Sequence, residues 1–312
     1  MSRPKIVFMG TPEFAVPSLE TLIKHNYPIV AVVTQPDRPK GRGRHMIPSR
    51  VKAFAQRHNL PVLQPERVRN NEFIEHFRNL APDIVVVAAF GQILPREILE
   101  TPRRGCLNVH PSLLPKYRGA APINWTIIRG EKKTGVTIML MDEGMDTGDI
   151  LTQEKTLIAP EETSGELHAR LAEMGAALLL RTIEMIMSGA AERIPQDASL
   201  ATYAPRLKKE DGLIRWDTEV YHIVNLIRGF SPVPCAYTFL RGKVLKIFSA
   251  AGEEVPLTDT PGKLGRETEK GLPVAAQNGY VFLREIQLEN KKRMPVHDFL
   301  RGFPLSPGDI LG

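Results

Sequence analysis

Asn108 and His110 stand two apart in Leu107-Asn108-Val109-His110. In an extended segment that spacing turns both side chains to one side and Val109 to the other. A second polar segment, Asp142-Glu143-Gly144-Met145-Asp146-Thr147-Gly148-Asp149, follows an apolar run at 134–141. An amide, an imidazole and a carboxylate gathered at one point suit acyl transfer to an amine. The amide donates to the oxygen on which negative charge develops. The imidazole, with an unperturbed pKa of about 6.5, takes the proton that the amine loses. The carboxylate orients the imidazole and favours its charged form. No serine or cysteine nucleophile is required, because the amine itself attacks. The residues alone leave plainer readings open: a structural histidine near a strand end, and Asp142, Asp146 and Asp149 as turn caps or metal ligands. Calcium-loop spacing is not met, so no metal is expected.

Such residues meet only if their segments leave one edge of a sheet, and the surrounding pattern predicts that sheet. Strands are expected at 5–9, 28–34, 62–63, 83–89, 105–110 and 134–141, and helices at 13–25, 50–59, 70–80, 121–129 and 163–187. This alternation predicts an α/β, doubly wound, mostly parallel sheet covered on both faces, a Rossmann-like arrangement. Ligands of open parallel sheets bind beyond the carboxyl ends of strands. Both polar segments are expected to leave such ends. The stretch 35–44, with two prolines and two glycines, is expected to lack regular structure. Beyond it the pattern changes only late: one helix at 219–229, then short strands at 237–240, 244–248, 272–277 and 280–283, which suggest a small β-barrel. The expected layout is therefore a catalytic domain over 1–189, a linker over 190–207 and a second domain over 208–312.

The bulk numbers agree with a globular chain of two domains: 312 residues, 42% hydrophobic and 24% charged. The amino-terminal residues enter a strand-like run without a signal-peptide pattern, and the apolar runs are too short to span a bilayer. A cytoplasmic protein with no membrane association is expected. Cys106 and Cys235 form no CxxC pair and read as reduced thiols. The turn Gly10-Thr11-Pro12-Glu13-Phe14 lacks dinucleotide glycine spacing, and no GxxxxGK[ST] loop occurs, so neither a dinucleotide nor ATP is expected. Charge is concentrated. Between Pro36 and His58, seven basic residues and one acid, Asp37, carry +6, which equals the net charge of the whole chain. The remainder sums to zero. The cluster is either a landing place for a polyanion or a solvated loop and helix face.

Three runs together resemble the folate-dependent formyltransferase family: Asn108-Val109-His110-Pro111-Ser112-Leu113-Leu114-Pro115, Tyr117-Arg118-Gly119-Ala120-Ala121-Pro122, and Asp142-Glu143-Gly144-Met145-Asp146-Thr147-Gly148. The resemblance implies Asn108, His110 and Asp146 as the catalytic trio. It implies 10-formyltetrahydrofolate as co-substrate, contacted by Ser112, Leu113, Leu114 and Pro115 and flanked by Gly91-Gln92-Ile93-Leu94, with no metal and no ATP. Ordinary core packing remains open for Leu94, Leu113 and Leu114. Pro111 stands where some members have glycine. This signature leaves the acceptor undecided, because members acting on glycinamide ribonucleotide, amino sugars or water share it. The loop 34–44 resembles the insertion loop of members that formylate initiator methionyl-tRNA, where it enters the end of the acceptor stem. It implies initiator methionyl-tRNA as partner, with contacts from Arg38, Lys40, Arg42 and Arg44, and Arg42 at the matching arginine position. The same likeness implies an oligonucleotide-binding (OB-like) second domain, and a monomer is expected. Rival readings are a small-molecule formyltransferase or formyltetrahydrofolate hydrolase, and an RNA-binding protein that has lost catalysis.

Overall fold

The computed structural model describes residues 3–40 and 45–312. In chain order the first elements are β1 (Ile6–Gly10), α1 (Val16–Lys24), β2 (Ile29–Val33), β3 (Arg38–Lys40), β4 (His45–Ile47), α2 (Arg50–Arg57), β5 (Val62–Leu63), α3 (Asn71–Asn79), β6 (Ile84–Ala88), α4 (Arg96–Leu99), β7 (Cys106–His110) and β8 (Arg118–Gly119). There follow α5 (Pro122–Ile128), β9 (Lys133–Leu140), β10 (Ile150–Leu157), α6 (Ser164–Ser188), β11 (Tyr203–Ala204), α7 (Val220–Phe230), β12 (Ala236–Leu240), β13 (Lys243–Glu254), β14 (Leu272–Ala276), β15 (Gly279–Leu288), β16 (Met294–Pro295) and α8 (Val296–Gly302). The chain divides into two compact units, one of 1–119, 135–156 and 168–203, the other of 120–134, 157–167 and 204–312.

The first unit is built on a seven-stranded sheet of order β10-β9-β7-β6-β1-β2-β5. Its centre is parallel, as the continuous apolar runs of β1 and β6 require: every residue of both strands is buried, so neither face is left to water. Val7, Met9, Val85 and Val87 pack with Phe77 and Ile98 in one core cluster. Two features depart from expectation. β9 runs antiparallel to β7, pairing Asn108 with Met139 and His110 with Thr137, so the segment after β9 leaves the opposite end of the sheet from His110. β10, unforeseen in the sequence, then extends the edge.

The stretch expected to be irregular is also corrected. β3 and β4 pair antiparallel, Arg38 with Ile47 and Lys40 with His45, and Pro39 is accommodated opposite Met46. Both strands of a two-stranded ribbon are edge strands, where a proline nitrogen turned away from the partner costs no ladder bond. Residues 41–44, and with them Arg42 and Arg44, lie outside the described residues.

The second unit is an antiparallel sheet of order β12-β13-β15-β14, with β16 against β15. Its core gathers Trp216, Ile223, Ile227 and Phe230 with Ile247, Val274, Leu283 and Ile286. Helix α7 lies very close to β13: a Cβ on Gly252 would come within 2.4 Å of Val220. Trp216 Nε1 donates to Thr238 Oγ1 at 3.1 Å, satisfying the one polar atom of a buried indole. Among the described residues no helix is long and apolar enough to cross a membrane.

Candidate active site

Strand β7 presents Asn108 and His110 on one face. Val109 points to the other, against Gly175 of α6, where an added Cβ would sit 2.8 Å from the valine methyl. His110 is buried, with 4% of its surface exposed. Its Nε2 lies 3.0 Å from the main-chain oxygen of Tyr117. A carbonyl only accepts, so Nε2 carries the proton and Nδ1 is left as the basic nitrogen. Nδ1 faces Asp146, 3.7 Å from Oδ1. Asn108 Nδ2 donates to the same Oδ1 at 3.3 Å, and the Gly119 N–H donates to Oδ2 at 2.8 Å. Asn108, His110 and Asp146 thus meet at one place.

They do so by a route the sequence reading did not foresee. Because β9 ends beside Cys106, the loop 141–149 must carry Asp146 back toward His110. Met141 N–H bonds the Cys106 carbonyl at 2.8 Å. Asp142 Oδ1 accepts from the Gly144 N–H at 3.1 Å and from Thr147 Oγ1 at 2.6 Å, so Asp142 is the turn cap and Asp146 is not. Gly148 lies so close to the Leu140 carbonyl that a Cβ would be 1.9 Å from its oxygen. Asp146 itself has φ +55°, in the left-handed region. For a residue other than glycine this costs about 1 kcal/mol, which the surrounding bonds must offset.

The expected folate segment forms a braced loop beside this trio. Ser112 is buried and its hydroxyl donates to the Lys116 carbonyl at 2.6 Å. Thr137 Oγ1 donates to the Ser112 carbonyl at 2.6 Å and accepts from the Leu114 N–H at 3.2 Å, and Gln153 Nε2 donates to the Leu114 carbonyl at 2.8 Å. Leu114 packs with Met139 and Ile150, and Leu94 belongs to the main core, so both side chains serve packing. Leu113 and Pro115 are half-buried and reach the surface. Ile93 and Met145, each on a segment next to the trio or its expected flank, are 81% and 62% exposed. These are the apolar side chains on offer to a flat ring.

The basic segment stands on a firm base. Lys52 Nζ meets Asp37 Oδ2 at 2.5 Å and Gln64 Nε2 donates to Oδ1 at 2.9 Å, and these bonds hold the Asp37 carboxyl below its ordinary pKa. Ser49 Oγ caps α2 by accepting from the Lys52 N–H at 3.0 Å. Arg38 is exposed on β3, and Lys40 ends that strand. Met46 and Ile47 on β4 are also exposed, at 60% and 45%.

Other reactive groups are withdrawn from chemistry. Burial pushes the Cys106 thiol up to about 12 and the Cys235 thiol up to about 11, so neither is a thiolate nucleophile at neutral pH. His168 packs edge-on to Phe14, with ring centroids 5.4 Å apart, and burial lowers its pKa. Among the described residues, no three His, Cys, Asp or Glu side chains gather as metal ligands. What the sequence reading missed are the main-chain partners, the Tyr117 carbonyl and the Gly119 N–H. Main-chain groups leave no mark in residue type.

Comparison with known proteins places the chain in a family. The formyl transferase family matches 4–183, and the formyl transferase C-terminal domain matches 206–304. A methionyl-tRNA formyltransferase of Syntrophus aciditrophicus is 60% identical over 312 residues, covering 100% of both chains. One from Geobacter sulfurreducens is 50% identical over 314 residues, covering 100% of this chain and 98% of its own. Among solved structures, HypX from Aquifex aeolicus in complex with tetrahydrofolic acid superimposes with a TM-score of 0.67 at 16% identity. That match covers 100% of this chain and 51% of HypX, and at such identity it speaks for the fold.

Proposed function

This chain belongs to the methionyl-tRNA formyltransferase family, and from that membership we propose how Asn108, His110 and Asp146 carry out its reaction. The reaction moves a formyl group from 10-formyltetrahydrofolate to the α-amino group of methionine on initiator tRNA, giving formylmethionyl-tRNA for translation initiation. The observation that carries the roles proposed for the trio is the Asp146 carboxylate. It lies within 3.7 Å of His110 Nδ1 and accepts from Asn108, while the other ring nitrogen is tied to a carbonyl.

The residues at the rim fit a folate. Half-buried Leu113 and Pro115 and exposed Ile93 offer apolar surface beside a polar trio, and the braced Ser112–Pro115 backbone gives it a fixed wall. Bound there, the co-substrate supplies the formyl carbon. Asn108 donates to the oxygen of that carbon as charge develops, a role a side-chain amide fills in a water-poor site. His110 Nδ1 accepts the proton that the amine releases as it attacks, and returns it to the folate N10 as the formyl C–N10 bond breaks and tetrahydrofolate leaves. Asp146 stands beside the resulting imidazolium and stabilises it. Arg38, Lys40, Arg42 and Arg44 take phosphates at the acceptor end, and the antiparallel region within 208–312, read as OB-like, takes further tRNA contacts. Phosphate contacts supply most of the affinity and make it sensitive to salt. The expected setting is a cytoplasmic monomer.

The test is the acceptor. Purified protein with 10-formyltetrahydrofolate should formylate methionyl initiator tRNA, while free amino sugars remain unmodified and the folate is not hydrolysed without tRNA. Formylation of a small amine at a comparable kcat/KM, with methionyl-tRNA left unchanged, would contradict the assignment.

A further inference from the structure

Gln196 lies in the stretch 190–207, where the sequence offers only a linker, yet both ends of its side-chain amide are bonded to the site. Nε2 donates to the main-chain oxygens of Asp146 at 2.9 Å and Gly148 at 2.7 Å. Oε1 accepts from Arg118 Nε at 3.1 Å and Nη2 at 2.6 Å. A guanidinium only donates and a main-chain carbonyl only accepts, so the amide has one orientation that satisfies all four bonds. Arg118 is 4% exposed, and its charge is therefore placed by design of the fold rather than by water.

The neighbours of Arg118 show what the arrangement holds. The Tyr117 carbonyl receives His110 Nε2, and the Gly119 N–H donates to Asp146 Oδ2. The Gln196 segment is in turn fastened on both sides. Ile194 and Ile150 exchange N–H to carbonyl bonds at 2.9 Å, and Thr202 accepts from the Arg118 N–H at 2.8 Å and, through Oγ1, from the Tyr117 N–H at 2.9 Å. A chain of bonds runs from His110 through Tyr117, Arg118 and Gln196 to the main chain of Asp146. The turn it grips is the one in which Asp146 adopts φ +55°.

We propose that Gln196 is a positioning residue for formyl transfer, holding the Asp146 carboxylate against Asn108 and His110 through the main chain of the Asp146 turn and through Arg118. It touches no reacting atom. The inference rests on the trio reading given above and extends it to a residue outside the family signature quoted from the sequence.

The isosteric Gln196→Glu separates its roles. The glutamate still accepts from Arg118, but an oxygen replaces the NH2 group that faces two carbonyl oxygens, so the turn is pushed away while Arg118 stays anchored. Gln196→Met keeps the length and removes every bond. Steady-state formylation of initiator methionyl-tRNA is measured for wild type, Gln196→Glu, Gln196→Met, Asp146→Asn and the double variant Gln196→Glu/Asp146→Asn, with a melting curve for each. Gln196→Glu should lower kcat by roughly 10- to 100-fold, the size of effect a displaced group produces. Both KM values should stay within about threefold, because substrate contacts are untouched. The double variant should be no slower than Asp146→Asn, since Gln196 acts only through Asp146. If Gln196→Glu does not fold, Gln196→Met carries the same comparison. Retention of kcat within about twofold in both Gln196 variants, beside an inactive Asp146→Asn, would overturn this proposal alone. Multiplied losses in the double variant would also overturn it, by showing a separate structural role. An Asp146→Asn protein with wild-type kcat would overturn the trio reading first, and this proposal with it.

Discussion

The two nitrogens of His110 are made different by a single main-chain contact. With Nε2 tied to the Tyr117 carbonyl at 3.0 Å, the ring cannot flip its proton to the side facing Asp146 without breaking that bond. In the proposed mechanism Nδ1 is therefore the nitrogen that meets the incoming amine as a base. Asn108 completes the site from the same face of β7. Asn108→Ala should lower kcat by about 10²–10³-fold with little change in KM for the folate, because its donor matters most as charge develops. Steady-state kinetics with initiator methionyl-tRNA check this, and an equal rise in KM with unchanged kcat would mean that Asn108 only binds. At this scale the sequence was informative where side-chain type and strand spacing coincide. The i, i+2 relation of Asn108 and His110 places them on one face, and the structure keeps it. Residue type alone could not distinguish Asp142, which caps the turn, from Asp146, which faces the imidazole, because both are aspartates in one loop, and only the family resemblance pointed to Asp146. It also could not show that the Ser112 hydroxyl is turned onto the Lys116 carbonyl.

Elements decide whether those residues meet. The loop between β9 and β10 must reach from the Cys106 end of β7 to His110 and return, and Gly148 is what lets it close so near Leu140. Gly148→Ala brings a Cβ to 1.9 Å from the Leu140 oxygen. The turn must then shift, at about 1–3 kcal/mol, which for a chain of this size lowers Tm by roughly 2–10 °C. Differential scanning calorimetry gives the Tm, and kcat should fall with it because Asp146 moves too. An unchanged Tm would show that the turn has slack. The base of the β3–β4 hairpin offers a pH test. Asp37 has its folded pKa lowered first by Lys52 and then by Gln64. Its contribution is present above the unfolded carboxylate pKa of about 3.9 and is lost as pH falls through the lower folded value. Amide hydrogen exchange over residues 45–52 should speed up, beyond its intrinsic pH dependence, as Asp37 protonates, and Asp37→Asn should abolish that step. Strand and helix alternation along the chain made the parallel centre of the sheet legible, since β1 and β6 are uninterrupted apolar runs. It did not give the hairpin, because Pro39 reads as a breaker unless the strand is known to be an edge. Nor did it give the full length of β13, whose register shifts between Ile247 and Ser249 and between Ser249 and Ala250 break the two-residue period.

Over the whole molecule, the charge balance reads as one local field on a neutral body. The net charge of +6 is matched by the segment 36–58 alone. The affinity for tRNA should therefore fall steeply with salt, and Arg38→Ala should reduce the slope of log K against log salt by about 0.7–1. Filter binding across a salt series reads this directly, while KM for the folate stays unchanged. A slope identical to wild type would remove Arg38 from the tRNA interface. Family membership rests on the full length of the chain, with two matched regions that span 4–183 and 206–304. The proposed chemistry rests on far less, on three side chains and the main-chain groups that hold them. Its sharpest test is the rate of formyl transfer by His110→Ala at saturating 10-formyltetrahydrofolate and methionyl initiator tRNA. The rate should drop by about 10²–10⁴-fold, as loss of a general base does, with folate binding preserved. Formylation by folded His110→Ala at the wild-type rate would contradict the account.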